Sequence, residues 1–234
     1  MGWKFSVYTL HIANKNYSSW SLRPWVLMKS VGIPFAERLV VFQEGSNWEP
    51  FRKFSPVGQV PCLHDGSTVV WDSLAIAEYL AERHAGVWPA ESGARAWARC
   101  AAAEMHAGFP VLRNTCTMNC GLRIRLREIV PALKRNLDRL GELWAEGLDR
   151  FGGPYLAGPT FTAVDAFYAP VAFRIQTYDL RLGGGANDYA SRLLALPPMQ
   201  AWYAAALKET WREQAHEAEA RDVGTVLQDL RAKA

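Results

Sequence analysis

The chain has 234 residues, half of them apolar and 21% charged, with a formal net charge of +3. That length buries an adequate core in one large or two small domains, and the composition is that of an ordinary globular protein, which excludes disorder and low complexity. So slight a basic excess argues against a nucleic-acid partner, because phosphate binding gathers Lys and Arg on one face.

In chain order, residues 5–12 (FSVYTLHI) alternate and carry β-branched and aromatic types, predicting a strand. A polar stretch from Asn14 to Ser19 leads into a helix over Leu22–Val31 that Gly32 ends. Pro34–Phe42 reads as a second strand, completing a βαβ unit. Past an aromatic segment at Trp48–Phe54, Val60–His64 and Thr68–Trp71 form a hairpin about Asp65-Gly66, and a helix follows over Ser73–Arg83. The order βαβ then ββα implies a small mixed sheet with helices on both faces. Gly86, Pro89 and Gly93 mark a linker. Beyond it the pattern is helical: Ala94–Cys120, Leu122–Leu148, Ala163–Tyr178, Tyr189–Leu194 and Met199–Ala220. The expected domains are 1–87, mixed α/β, and 88–234, all-α.

The first residues lack the apolar core and cleavage site of a signal peptide, and no uncharged apolar run is long enough to span a bilayer. A cytoplasmic protein without membrane attachment is expected. Four cysteines, at 62, 100, 116 and 120, show no disulfide or zinc spacing and read as buried structural thiols; Cys116 and Cys120 could share a helix face but make a poor metal site, so no metal is expected.

Three short segments could carry chemistry. Tyr17-Ser18-Ser19-Trp20-Ser21 falls where a strand end meets a helix start, so its serines either cap the helix or donate a hydroxyl to a bound thiolate. In Gln59-Val60-Pro61 the proline opens a strand, either as an ordinary trans residue or with a cis bond that turns the Val60 backbone towards a peptide ligand. Asp72-Ser73 precedes the helix Leu74–Leu80 and either caps it or receives an α-amino and an α-carboxylate group.

Taken in order, these segments resemble the amino-terminal domain of the glutathione transferases. Ser18-Ser19-Trp20-Ser21-Leu22-Arg23 is similar to the Ser-Ser-Cys-x-x-Arg motif of the zeta class, and Thr162-Ala163-Val164-Asp165 looks like the capping box of the family's carboxyl-terminal domain. The resemblance implies a thioredoxin-like α/β domain followed by an all-α domain, a cytoplasmic homodimer, and detoxifying transfer of glutathione, as co-substrate, to a small electrophile. By resemblance Ser18 activates the thiol, with Ser19 as its rival; Val60, before cis Pro61, binds the cysteinyl backbone, with Gln59 and Pro61 also in the glutathione site; Asp72 and Ser73 hold the γ-glutamyl end. Trp20 flanks the thiol where the zeta motif has cysteine, and Gly58 stands where it has lysine. A glutaredoxin-like reading lacks its active-site cysteine. A non-catalytic binding protein and a zeta-like isomerase stay open.

The second-substrate pocket is expected where the first long helix of the helical half faces the sheet. His106, Phe109 and Arg113 lie at offsets of three and seven, with Pro110 kinking or breaking the helix beside them. His106 is either a structural histidine or, with Arg113, a contact for an acidic or carbonyl substrate. Arg123–Arg127 reads as a solvated helix face.

Overall fold

The computed structural model describes residues 8–183 and 185–233. Strand β1 (Tyr8–Ile12), helix α1 (Ser19–Ser30) and strand β2 (Phe35–Leu39) make the expected βαβ unit, with β1 and β2 parallel. The part of the expected first strand before Tyr8 lies outside the described residues. A short helix α2 (Trp48–Arg52) leads to strands β3 (Cys62–Asp65) and β4 (Thr68–Val70), which form the hairpin, and helix α3 (Ser73–Ala81) closes this half. The sheet order is β2-β1-β3-β4, and only β1 and β2 run parallel. Tyr8, Leu10 and Ile12 alternate into a core shared with Leu22, Val26 and Ile76. His11 points the other way and stacks on Phe54 at 4.3 Å. This is the two-period of a strand with both faces occupied.

The remaining chain is mainly helical, with three departures from the sequence reading. The expected helix Ala94–Cys120 is two: α4 (Ser92–Ala107) and α5 (Pro110–Thr115). Pro110 opens α5 because it lacks the N–H a continuous helix would need, and Phe109 before it adopts φ 55 with its ring buried. Leu122–Leu126 is strand β5, not the start of a helix; α6 begins only at Pro131 and runs to Phe151. The expected helix from Met199 to Ala220 is broken into α9 (Pro197–Lys208) and α10 (Gln214–Asp222), and strand β6 (Gly224–Asp229) follows and pairs antiparallel with β5. The helical half therefore carries a two-stranded ribbon. Arg123, read as solvated, bonds the Cys120 and Leu122 carbonyls and the Tyr203 hydroxyl.

Between these lie α7 (Ala163–Tyr178) and α8 (Ala186–Ala195). Helix α7 is buried along nearly its whole length and packs on α1 and α4. Its capping box forms as expected: Thr162 and Asp165 satisfy each other's backbone N–H groups, and Asp165 also accepts from the Leu156 N–H at 3.0 Å and the Tyr189 hydroxyl at 2.7 Å. Of the cysteines, 62, 116 and 120 are buried and Cys100 is exposed, against the reading of four buried thiols; Cys116 and Cys120 lie beyond the end of α5 and share no helix face. Burial pushes the Cys62 thiol up to about 11 and Cys116 to about 12, so neither is a nucleophile at neutral pH. No described helix is long and apolar enough to cross a membrane.

Candidate active site

A cavity of about 620 Å³ opens where the end of β1 and the start of α1 meet α5, α7 and α10. Ser18, Ser19, Trp20, Gln59, Val60, Pro61, Asp72 and Arg113 all line it. The sequence motifs, separated along the chain by tens of residues, thus converge on one volume. Ser73, His106 and Phe109 do not line it. Ser73 is buried just inside α3 with its Oγ unpartnered, and Phe109 is a core residue. His106 stands one layer back: its Nε2 is 3.3 Å from Asp72 Oδ2 and its ring meets Trp20 edge-on at 5.3 Å. Burial lowers the His106 pKa, and Arg23 and Arg113 add to that against the pull of Asp72. It reaches the site through Asp72 and Trp20 and does not line the cavity itself.

Ser18 is the N-cap of α1. Its Oγ accepts from the Ser21 N–H at 3.3 Å and lies 2.7 Å from Ser21 Oγ, which in turn accepts from the Ala13 N–H at 3.2 Å. The capping reading therefore holds, and Ser18 also lines the cavity. Ser19, half-buried, occupies the first helical position. Tyr17 also lines the cavity, but its hydroxyl donates to Glu217 Oε1 at 2.8 Å, and burial followed by that bond raises its pKa. It is occupied as a donor elsewhere. The Val60–Pro61 bond is cis. Asp72 caps α3, its Oδ1 accepting from the Leu74 N–H at 2.9 Å. Gly58 has φ +61, and a Cβ there would lie 2.7 Å from the Trp48 ring, so a lysine would be strained and would displace that ring.

Two sequence models match the chain: "Glutathione S-transferase, N-terminal domain" over residues 17–83 and "Glutathione S-transferase, C-terminal domain" over residues 124–205. The chain belongs to the glutathione S-transferase family. It is 28% identical to a zeta class glutathione S-transferase of Euphorbia esula over 157 residues, 65% of this chain and 70% of that protein. It is 26% identical to glutathione S-transferase theta-1 of Mus musculus over 214 residues, 82% of this chain and 81% of that protein. Its fold matches a glutathione transferase homolog from Burkholderia solved with bound glutathione, at TM-score 0.65 and 22% identity, covering 86% of this chain and 98% of the other. It likewise matches a theta class glutathione S-transferase from Xanthomonas axonopodis pv. citri with glutathione bound, at TM-score 0.61 and 21% identity, covering 85% and 97%.

Other residues that line this cavity escaped the sequence reading. His216 and Glu219 of α10 line the cavity, and His216 stacks on Tyr17 at 4.9 Å. Arg174 reaches it from α7. A lone arginine inside the apolar run Ala163–Tyr178 was the one available signal, since arginine is rarely buried without a reason. For α10 no local signal exists. The segment before Ser18 is held from the far end of the chain: Glu209 accepts from the Lys15 and Asn16 N–H groups at 2.7 and 3.1 Å, Trp202 donates to the Lys15 carbonyl at 2.9 Å, and Glu217 holds Tyr17.

Proposed function

We propose that the protein binds glutathione in this cavity and that Ser18 stabilises its thiolate for attack on a small electrophile. The observation that carries the reading is the hydroxyl relay ending at the cavity wall. Hydroxyls are rotors, so a thiolate beside Ser18 draws the Ser18 O–H towards itself while Ser21 O–H and N–H turn to donate to Ser18 Oγ, and the Ala13 N–H holds Ser21 in place. The α1 amino terminus adds a partial positive charge on the same side. Ser19 has no such chain behind it, which favours Ser18 over its rival. A free thiol has a pKa of about 8.5; lowering it by ~2 units corresponds to about 2.7 kcal/mol of preference for the thiolate. The thiolate is the nucleophile, so this preference is a large part of the catalysis.

Val60, at the edge beside cis Pro61, offers backbone groups to the cysteinyl residue, and Gln59 flanks it. Asp72 and the first N–H groups of α3 receive the γ-glutamyl ammonium and carboxylate. In this reading residues 1–87 supply the glutathione half and 88–234 most of the electrophile half, and the protein acts as a cytoplasmic homodimer, as its family resemblance implies. The test is glutathione binding with ultraviolet absorbance of the bound thiolate as a function of pH. Protein that binds no glutathione, or binds it with an unshifted thiol, refutes the proposal.

Asp72→Asn separates binding from structure. Asparagine caps a helix as well as aspartate, so the melting temperature should stay that of wild type. The charged contact to the ammonium is lost, worth about 1.5–3 kcal/mol. Steady-state kinetics should show the KM for glutathione raised by about tenfold or more.

A further inference from the structure

Three arginines lie close to one another beside the cavity, two of them against Trp20. Arg23 of α1 and Arg174 of α7 are 1% and 4% exposed, and Arg113 of α5 is half-buried. The Arg23 and Arg113 guanidinium groups lie 4.1 and 4.6 Å from the Trp20 ring centroid, so the indole meets two cations. Few of their donors are used. Arg113 Nη1 donates to the His106 and Gly108 carbonyls, and Arg174 Nε donates to the Cys116 carbonyl at 2.8 Å. Arg174 Nη1 and the Nε and Nη1 of Arg23 are buried with no partner. Among the described residues none of the three forms an ion pair; Asp72, whose charge reaches Arg23, pairs with His106 instead.

Buried cations without counter-ions are costly. Burial, then mutual repulsion, brings Arg23 down to about 9; burial brings Arg174 down to about 10, with Arg113 adding to the effect. A bound anion would relieve all three. Arg113 and Arg174 face the cavity from the same wall as Asn114, Thr117 and Met118. That wall belongs to α5, the loop after it and α7. A guanidinium fork matches a carboxylate in shape and charge.

We infer that the electrophilic co-substrate carries a carboxylate, held by Arg113 and Arg174 with its reactive carbon turned towards the thiolate beside Ser18. Arg23 acts through Trp20, stiffening the ring and adding its field. The inference rests on the transferase reading and names the substrate class for it. With an activated aryl chloride the glutathione sulfur forms the C–S bond, the C–Cl bond breaks, chloride leaves with the electron pair, and the thiol proton passes to solvent.

The test uses para-chloro-meta-nitrobenzoate and the corresponding benzamide, which differ only in the anchoring group. Calorimetric titrations of the full-length protein are run with and without S-methylglutathione. The benzoate should bind about tenfold or more tighter than the benzamide, Arg113→Met should cut that preference severalfold with Arg174 left alone to hold the carboxylate, and Arg113→Lys should keep more of it. A wild type that binds both alike overturns the inference, as does a preference undiminished in Arg113→Met. Competition between the benzoate and S-methylglutathione also overturns it, because the arginines would then hold the tripeptide's own carboxylate. The wild-type comparison alone can refute the inference, so a variant that fails to fold does not protect it. Failure of glutathione binding or of turnover is read separately and strikes the transferase reading, not the anion site.

Discussion

Ser18→Ala should lower kcat/KM for glutathione conjugation by about 10²–10³-fold, the cost of removing one preorganised donor to a developing or bound anion. The bound thiol pKa should rise back towards that of free glutathione, which a pH titration of the thiolate absorbance reads directly. The same substitution removes the α1 cap, since Ser18 Oγ accepts from the Ser21 N–H, and stability should fall by about 1 kcal/mol. These effects separate. Ser21→Ala keeps the Ser18 cap and its donor but deletes the group behind it, so it should raise the thiol pKa by less. Ser19→Ala should leave the pKa near the wild-type value. A thiol pKa that moves with Ser19→Ala and not with Ser18→Ala would reassign the donor. If neither moves it, serine plays no part in activation.

Glu217→Gln should destabilise the protein by about 1.5–3 kcal/mol, measured by urea unfolding, because it removes the charge from one member of a buried ion pair and leaves Arg231 only Asp229 as its counter-ion. Glu217 is 2% exposed and Arg231 7%. Arg231 bonds Glu217 through both Nη atoms, Nη2 at 3.0 Å, and Tyr17 and Arg221 donate to the same carboxylate at 2.8 and 3.2 Å. Burial alone would raise the Glu217 pKa, but the hydrogen bonds from Arg231 and Tyr17 outweigh it and the net value lies below the ordinary one. The sign follows. A carboxyl depressed in the folded state contributes stability that is present above its unfolded pKa, about 4.5, and is lost as pH falls through its lower folded value. Asp229, drawn down first by its hydrogen bonds to Arg231, acts in the same direction. Wild type should therefore lose stability more steeply than Glu217→Gln as the pH falls below about 4.5. Acid unfolding followed by circular dichroism compares the slopes, and parallel curves would count against the pair. Because Tyr17 adjoins Ser18, hydrogen exchange at residues 15–18 should quicken in the variant.

Much of the first half was legible because its signals are local. A cap acts within three residues, so Ser18 and Asp72 announced α1 and α3; Asp65-Gly66 announced the hairpin; Thr162 and Asp165 announced α7; and Pro110, lacking an N–H, announced a break whatever lay around it. The ordered motifs then pointed to one crevice because a βαβ–ββα chain has few ways to fold. Leu122–Leu126 shows the limit. Its strict alternation of apolar residues with arginine fits a strand, but a short run is a strand only if an edge exists to pair with it, and that edge, Gly224–Asp229, lies at the other end of the chain. The same holds for the clamp on Lys15, Asn16 and Tyr17 by Glu209 and Glu217, made across 193 to 200 positions. His106 and Arg113 share a helical spacing in the sequence, yet the break at Phe109 sends Arg113 to the cavity and leaves His106 behind Asp72. The sequence by itself determined the elements of the first half and the caps at Ser18, Asp72 and Thr162, since these are settled by backbone hydrogen bonds within a turn or two. Only the tertiary structure decided which charged groups meet at the cavity, because the energy of a buried ion is set by neighbours that the chain brings from far away.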